Sequence, residues 1–130
     1  LSNTSTTVLM SSIDREKGSM LANMIMEDML TDSSTINNCA TTCAYNGLDF
    51  KTPNANSSTS VHKAQTKWFE RANKLFGAPS VNDKRIITLE EVLDSGGNGT
   101  NVFVITIEID TRDGKSKNIF RSNINAWPSS

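Results

Sequence analysis

Histidine is almost absent from this sequence: His62 is the only one in 130 residues. It stands at the start of an amphipathic stretch with no Asp or Glu within a helical turn to orient it, so no nucleophile has a positioned base beside it. His62 reads as a surface residue. Cysteine is nearly as scarce, with Cys39 and Cys43 alone. Two cysteines and one histidine fall short of the roughly four N/S ligands of a structural zinc site. The adjacent acids Glu27-Asp28 and Glu90-Glu91 point to different sides of a helix or strand, so neither pair converges on a bond. Asp110, Asp113 and Gly114 form only a fragment of a calcium loop, which a plain hairpin explains better. Gly96-Gly97-Asn98-Gly99 lacks the Lys-Ser/Thr and the helix that a phosphate loop needs. The methionines lack the His or Cys support of a copper site. The expectation is a protein that is not an enzyme and uses no cofactor or metal.

Charge of one sign is lacking too. Lys and Arg number 13 against 14 Asp and Glu, and the signs alternate locally, as in Asp14-Arg15-Glu16-Lys17 and Asp110-Thr111-Arg112-Asp113. A nucleic-acid groove needs clustered cations with interleaved aromatics, so no nucleic acid is expected to bind this domain alone. There is no run of about eighteen apolar residues and no charged-apolar-small leader, so nothing in the chain reads as a membrane span or signal peptide. Since Leu1 is not methionine, the chain is expected to begin after a removed segment. The sequons at Asn3, Asn56 and Asn98 are what chance supplies in a chain rich in Asn, Ser and Thr. With 36% hydrophobic and 21% charged residues, the length suits one core rather than two.

What is present is periodicity. From Ser5 to Leu30 there is no proline, and Leu9, Ile13, Met20 and Met24 recur at 4, 7 and 4 residues, with Leu21, Ile25 and Met29 widening the stripe into a helix. At about 1.5 Å per residue this helix would be roughly 40 Å long, so part of it is expected to project beyond the core. Its first half is rich in Ser and Thr and weak in propensity. Its second half, Ser19 to Leu30, is apolar on more than one side. One side suits a sheet; the other calls either for a neighbouring subunit or for methionines filling an irregular core.

Thr31 to Ser60 reads as a long polar connection held down by the cysteines and by Tyr45, Leu48 and Phe50. For Cys39 and Cys43 a disulfide is favoured over two free thiols, closing a small loop. Ser60 is the expected N-cap of a second helix, in which Val61, Ala64, Trp68, Ala72 and Leu75 form one stripe and Gly77 with Pro79 the stop. Trp68 is expected as a core anchor. Val102 to Asp110 alternates with period two, Phe103, Ile105, Ile107 and Ile109 falling on one face, and Asp113-Gly114 signals a hairpin back through Lys117 to Ile124. Arg85 to Leu93 fits a strand or a capping-box helix opening at Thr88; the strand is favoured because two strands alone make a marginal sheet.

This order of parts resembles the type IV pilin-like subunits, most closely PilV-type minor pilins and the related type II secretion pseudopilins. The features that carry it run from Ser11 to Arg121. They are the Met20-Leu21-Ala22-Asn23-Met24 to Met29-Leu30 helix end, the two cysteines, Ala64-Gln65-Thr66-Lys67-Trp68 followed by Leu75 to Pro79, and the strand Val102 to Asp110 ending in Thr111-Arg112-Asp113. The resemblance implies an α+β fold, with a long N-terminal helix packed on a small antiparallel sheet and a second helix in the connecting region. Residues 1–32 would be the end of the stem helix, 33–84 the αβ-loop with the cysteine pair and second helix, and 85–125 the sheet. Leu21, Met24, Ile25, Trp68, Phe103, Ile105 and Ile107 would form the core. A Cys39–Cys43 bond would pin only the αβ-loop, whereas many pilins use a disulfide to close a long C-terminal loop.

The implied function is structural: a minor pilin that helps initiate or compose a type IV pilus for adhesion, twitching motility or DNA uptake. A pseudopilin is the alternative within the family, and a periplasmic sensing domain of a membrane-anchored receptor the alternative outside it. The implied partners are other pilin subunits through the N-terminal helix, the inner-membrane assembly machinery, and the inner membrane through an upstream apolar stem of about 25 residues. The implied location is the periplasmic side of the inner membrane of a Gram-negative bacterium before assembly, and the extracellular pilus after it.

Overall fold

A computed structural model describes residues 3–32, 43–55 and 58–125, with side chains described between residues 13 and 124. The fold is α+β. Helix α1 (Asn3–Thr31) is followed by strand β1 (Leu48–Asp49), helix α2 (Ser60–Phe76) and strands β2 (Arg85–Leu93), β3 (Gly99–Thr111) and β4 (Ser116–Asn125). The strands form one antiparallel sheet in the order β1-β2-β3-β4.

Period-two alternation decides which face of the sheet is covered. Ile87, Leu89, Phe103, Ile105, Ile107, Ile109 and Ile124 are buried, while the intervening Ile86, Thr88, Val104, Thr106 and Glu108 are half-buried. The pairings Ile87 with Ile107, Leu89 with Ile105 and Phe103 with Ile124 align the apolar residues across three strands. A one-residue slip would turn the whole set to the other face, so the register is strongly determined. Arg85 to Leu93 is a strand, as the sequence favours.

On this face α1 lays Leu21, Ala22, Ile25 and Met29, all buried. Gly18 permits the close approach: a Cβ there would sit 3.1 Å from the ring of Phe120. The guanidinium of Arg15 lies 4.7 Å from the centroid of that ring. Met24 differs from expectation. It is half-buried and packs against the core from its margin, because its place in the helical turn faces α2 rather than the sheet.

Helix α2 begins one residue away from the expected cap. Thr59 is the N-cap, its Oγ1 accepting from the His62 backbone N–H at 3.1 Å, while the Ser60 hydroxyl donates to Asp32 Oδ2 at 2.7 Å. His62 is half-buried rather than wholly on the surface. Val61, Trp68 and Ala72 are buried, and Gly77 ends the helix with φ 80° as the sequence stop signal requires. Within the polar connection the structure adds β1, a strand too short for periodicity to reveal. Gly47 and Phe50 donate their N–H groups to the carbonyls of Ile87 and Arg85, each at 2.8 Å, which seats Tyr45 and Phe50 in the core.

The end of the sheet nearest the close of α2 is fastened by buried polar groups. Arg85, 1% exposed, donates to Asn73 Oδ1 at 3.0 Å and to the Gly77 carbonyl at 3.1 Å, a cation at a helix C-terminus. Burial lowers the pKa of its guanidinium, and the nearby Asp83 charge opposes that shift. Asp83 in turn accepts from Ser80 N–H and Gly114 N–H at 2.9 and 2.7 Å. The β3–β4 turn places Arg112, Asp113 and Gly114 all at positive φ, a costly run for two non-glycine residues. Asp14 helps hold it, its Oδ2 accepting from Thr111 Oγ1 at 3.0 Å and pairing with Arg112 at 3.2 Å. At Gly114 any Cβ would meet the Asn82 carbonyl oxygen at 2.8 Å.

Cys43 is disulfide-bonded; Cys39, the only other cysteine of the sequence, lies outside the described residues. Thiol titration of the unfolded, unreduced protein is expected to find no free thiol, and the single tryptic peptide 18–51 that carries both cysteines to resist alkylation until it is reduced. Two reactive thiols would remove the argument for an oxidising compartment. A bond closing so short a loop contributes about 2 kcal/mol on a chain-entropy account.

Candidate subunit interface

Helix α1 carries two apolar sides. At about 100° per residue, Gly18, Leu21, Ala22, Ile25 and Met29 share the side that meets the core, while Ile13 and Met20 lie on the side away from it and Met24 at its edge, against the margin of the core. Ile13 is 42% and Met20 62% exposed. Burying a side chain of this size is worth about 1.5–3 kcal/mol.

Helix α2 flanks that side, and a set of polar contacts decides where it lies. The Asp28 carboxylate accepts from Trp68 Nε1 at 2.8 Å and from Lys67 Nζ at 3.0 Å. One turn on, Asp32 Oδ2 accepts from the Tyr45 hydroxyl at 2.6 Å as well as from Ser60. Burial first, then the hydrogen bond and charge of Asp32, push the Tyr45 phenol far above its ordinary pKa, so it remains a donor across the physiological range. Trp68 is fully buried, its ring centroid 5.9 Å from Tyr45 and 6.5 Å, edge-on, from Phe50. One indole thus joins α1, α2 and the αβ-connection. A paired carboxylate beside a buried indole N–H satisfies both groups, and the geometry fixes α2 against α1.

Between the helices runs a cleft of about 220 Å³ lined by Met20, Leu21, Met24, Arg71 and Leu75. Methionine side chains adapt their shape to what they meet. Arg71 lines its α2 side, and the exposed Lys74 lies beside Arg71 on the same helical face with Lys67, which is paired to Asp28, and Glu70, giving an apolar floor with a cationic edge.

Of the residues singled out from sequence, Leu21, Ile25, Trp68, Phe103, Ile105 and Ile107 come together in the core, and Met24 lines the cleft. Asp28, Asp32 and Lys67 were not legible as partners. The Glu27-Asp28 pair does diverge, Glu27 to solvent and Asp28 towards α2, but a contact to a residue 40 positions away leaves no mark in local periodicity. Among the described residues no three His, Cys, Asp or Glu side chains group as a metal would require, and no helix is long and apolar enough to cross a membrane. Comparison with protein-family models, curated proteins and solved structures yields no match to this chain.

Proposed function

We propose that this chain is the globular part of a type IV pilin-like filament subunit, a minor pilin that helps initiate or compose the filament. The observation that carries the proposal is the two-sidedness of α1: one side buried on an antiparallel meander, the other leaving Ile13 and Met20 exposed, with Met24 at the margin between them. A helix built this way needs a second partner, and a subunit whose helices pack in register with those of its neighbours supplies one. In this reading α1 continues upstream into an apolar stem that holds the subunit in the inner membrane before assembly and packs in the filament afterwards. The α1–α2 fastening through Asp28 and Trp68 then keeps the globular part rigid on its stem.

Expression of the full-length gene provides the test. The protein is expected in the inner-membrane fraction and in sheared extracellular filaments, and its deletion to change pilus number or function. A membrane protein that supports secretion without entering surface filaments would make it a pseudopilin. Recovery as a soluble periplasmic monomer, absent from membrane and filaments alike, would overturn the proposal.

A further inference from the structure

Charge that nearly cancels over the whole chain is unevenly shared among its elements, although Asp110 is buried and paired with Lys117 of β4 at 3.2 Å. Residues 86–111 hold Glu90, Glu91, Asp94, Glu108 and Asp110 and not one Lys or Arg. Helix α2 holds Lys63, Lys67, Arg71 and Lys74 against the single acid Glu70. The acidic segment also carries the one exposed aliphatic pair of the sheet, Val92 at 40% and Leu93 at 59%.

That pair sits on a fixed knob rather than on a loose loop. Asp94 Oδ1 accepts from the N–H groups of Gly96 and Asn98, each at 2.9 Å. The Asp94 N–H donates to the Asn98 carbonyl at 2.8 Å. The Thr100 hydroxyl donates to the Val92 carbonyl at 2.6 Å, and Asn101 N–H to Glu91 Oε2 at 2.9 Å. The backbone donors, Asn98 first, hold the Asp94 carboxyl below its usual pKa, so it is an anion wherever the protein is folded near neutrality. Glu90 is exposed beside it. The domain's own core uses neither Val92 nor Leu93.

The knob and the α1–α2 cleft are complementary: aliphatic tip to methionine-lined floor, anionic flank to cationic rim. They cannot meet within one copy. Arg85, at the start of β2, touches the end of α2, and the eight steps of β2 carry Leu93 roughly 26 Å away from it. We infer that the β2–β3 tip of one copy docks into the α1–α2 cleft of the next, Val92 and Leu93 against Met20, Met24 and Leu75, with Glu90 and Asp94 facing Arg71 and Lys74. Two different surfaces in contact make a head-to-tail interface, which propagates as a filament unless its rotation closes a ring. The contact rests on the filament reading and deepens it by naming which globular surfaces meet. Long-range steering between the charged flanks makes it salt-dependent.

Cross-linking of the chain itself tests this. Copies carrying Leu93→Cys are mixed with copies carrying Met20→Cys and treated with a short bismaleimide, which spares a native disulfide. At low salt the mixed pair is expected to cross-link about tenfold more than either variant alone, and the excess to fall at high salt. Adding Arg71→Glu to the Met20→Cys copy should remove the excess, and adding Glu90→Lys to the Leu93→Cys copy should restore it. These positions are exposed or half-exposed, and unchanged melting temperatures will show that the variants fold. Equal yields in mixed and unmixed samples, or indifference to Arg71→Glu, would overturn the inference and mean that something other than this tip fills the cleft. Full-length protein present in filaments with no such cross-link sinks the contact alone; the cross-link without filament incorporation sinks the filament reading and leaves the contact standing.

Discussion

Ile105→Asp is expected to leave the domain unfolded at room temperature. Ile105 is fully buried at the centre of β3, paired with Leu89 on one side and Ser122 on the other. No cation in the surrounding core of aliphatic and aromatic side chains would neutralise a carboxylate placed there. Burying an unpaired charge costs several kcal/mol, a large share of the 5–15 kcal/mol that holds a domain of this size together. The substitution at Met24 should behave differently. Met24 borders the open α1–α2 cleft, so an aspartate there reaches water and costs about 1 kcal/mol, chiefly in lost packing. Thermal melts followed by circular dichroism separate the two. If Ile105→Asp kept the wild-type melting temperature, the packing of α1 on the sheet would be wrong.

Trp68→Ala should cost about 3–5 kcal/mol. The indole fills the junction of α1, α2 and the αβ-connection, so its loss leaves a cavity among Tyr45 and Phe50 and deprives Asp28 of one of its donors. Trp68→Phe isolates the second effect: the ring remains, the N–H goes, and Asp28 keeps only Lys67. That variant should lose about 1–3 kcal/mol. Urea denaturation of the three proteins gives both differences. A loss below about 1 kcal/mol for Trp68→Ala would mean that α2 is not fastened through this residue.

The period-two run Val102 to Asp110 was legible because a sheet with one covered face imposes alternation that three strands then repeat. Helix α2 was legible from its stripe and its glycine stop, yet its cap lies at Thr59. Thr59 and Ser60 are chemically alike as caps, and only the contact from Ser60 to Asp32 assigns them different tasks. Strand β1 was not legible, since two residues carry no period; it exists because Gly47 and Phe50 find carbonyl partners on β2. The uneven sharing of charge escaped notice for a related reason. Counted over the whole chain the signs nearly cancel, whereas the cations of α2 share one helical face and the cation-free stretch 86–111 ends in the β2–β3 tip.

The sequence by itself determined the two helices, the three longer strands and most of their inward faces, since helix and strand each impose a short period on where apolar residues fall. Only the tertiary structure decided how the elements are joined. Asp28 with Trp68, Asp14 with Thr111 and Arg85 with Gly77 are polar pairs whose worth depends on burial and on a partner brought close by packing, and neither condition is a property of a local stretch of chain. The tertiary structure also decided that Ile13 and Met20 of α1 stay exposed: α2, held through Asp28 and Asp32, covers one flank of that helix and not the other.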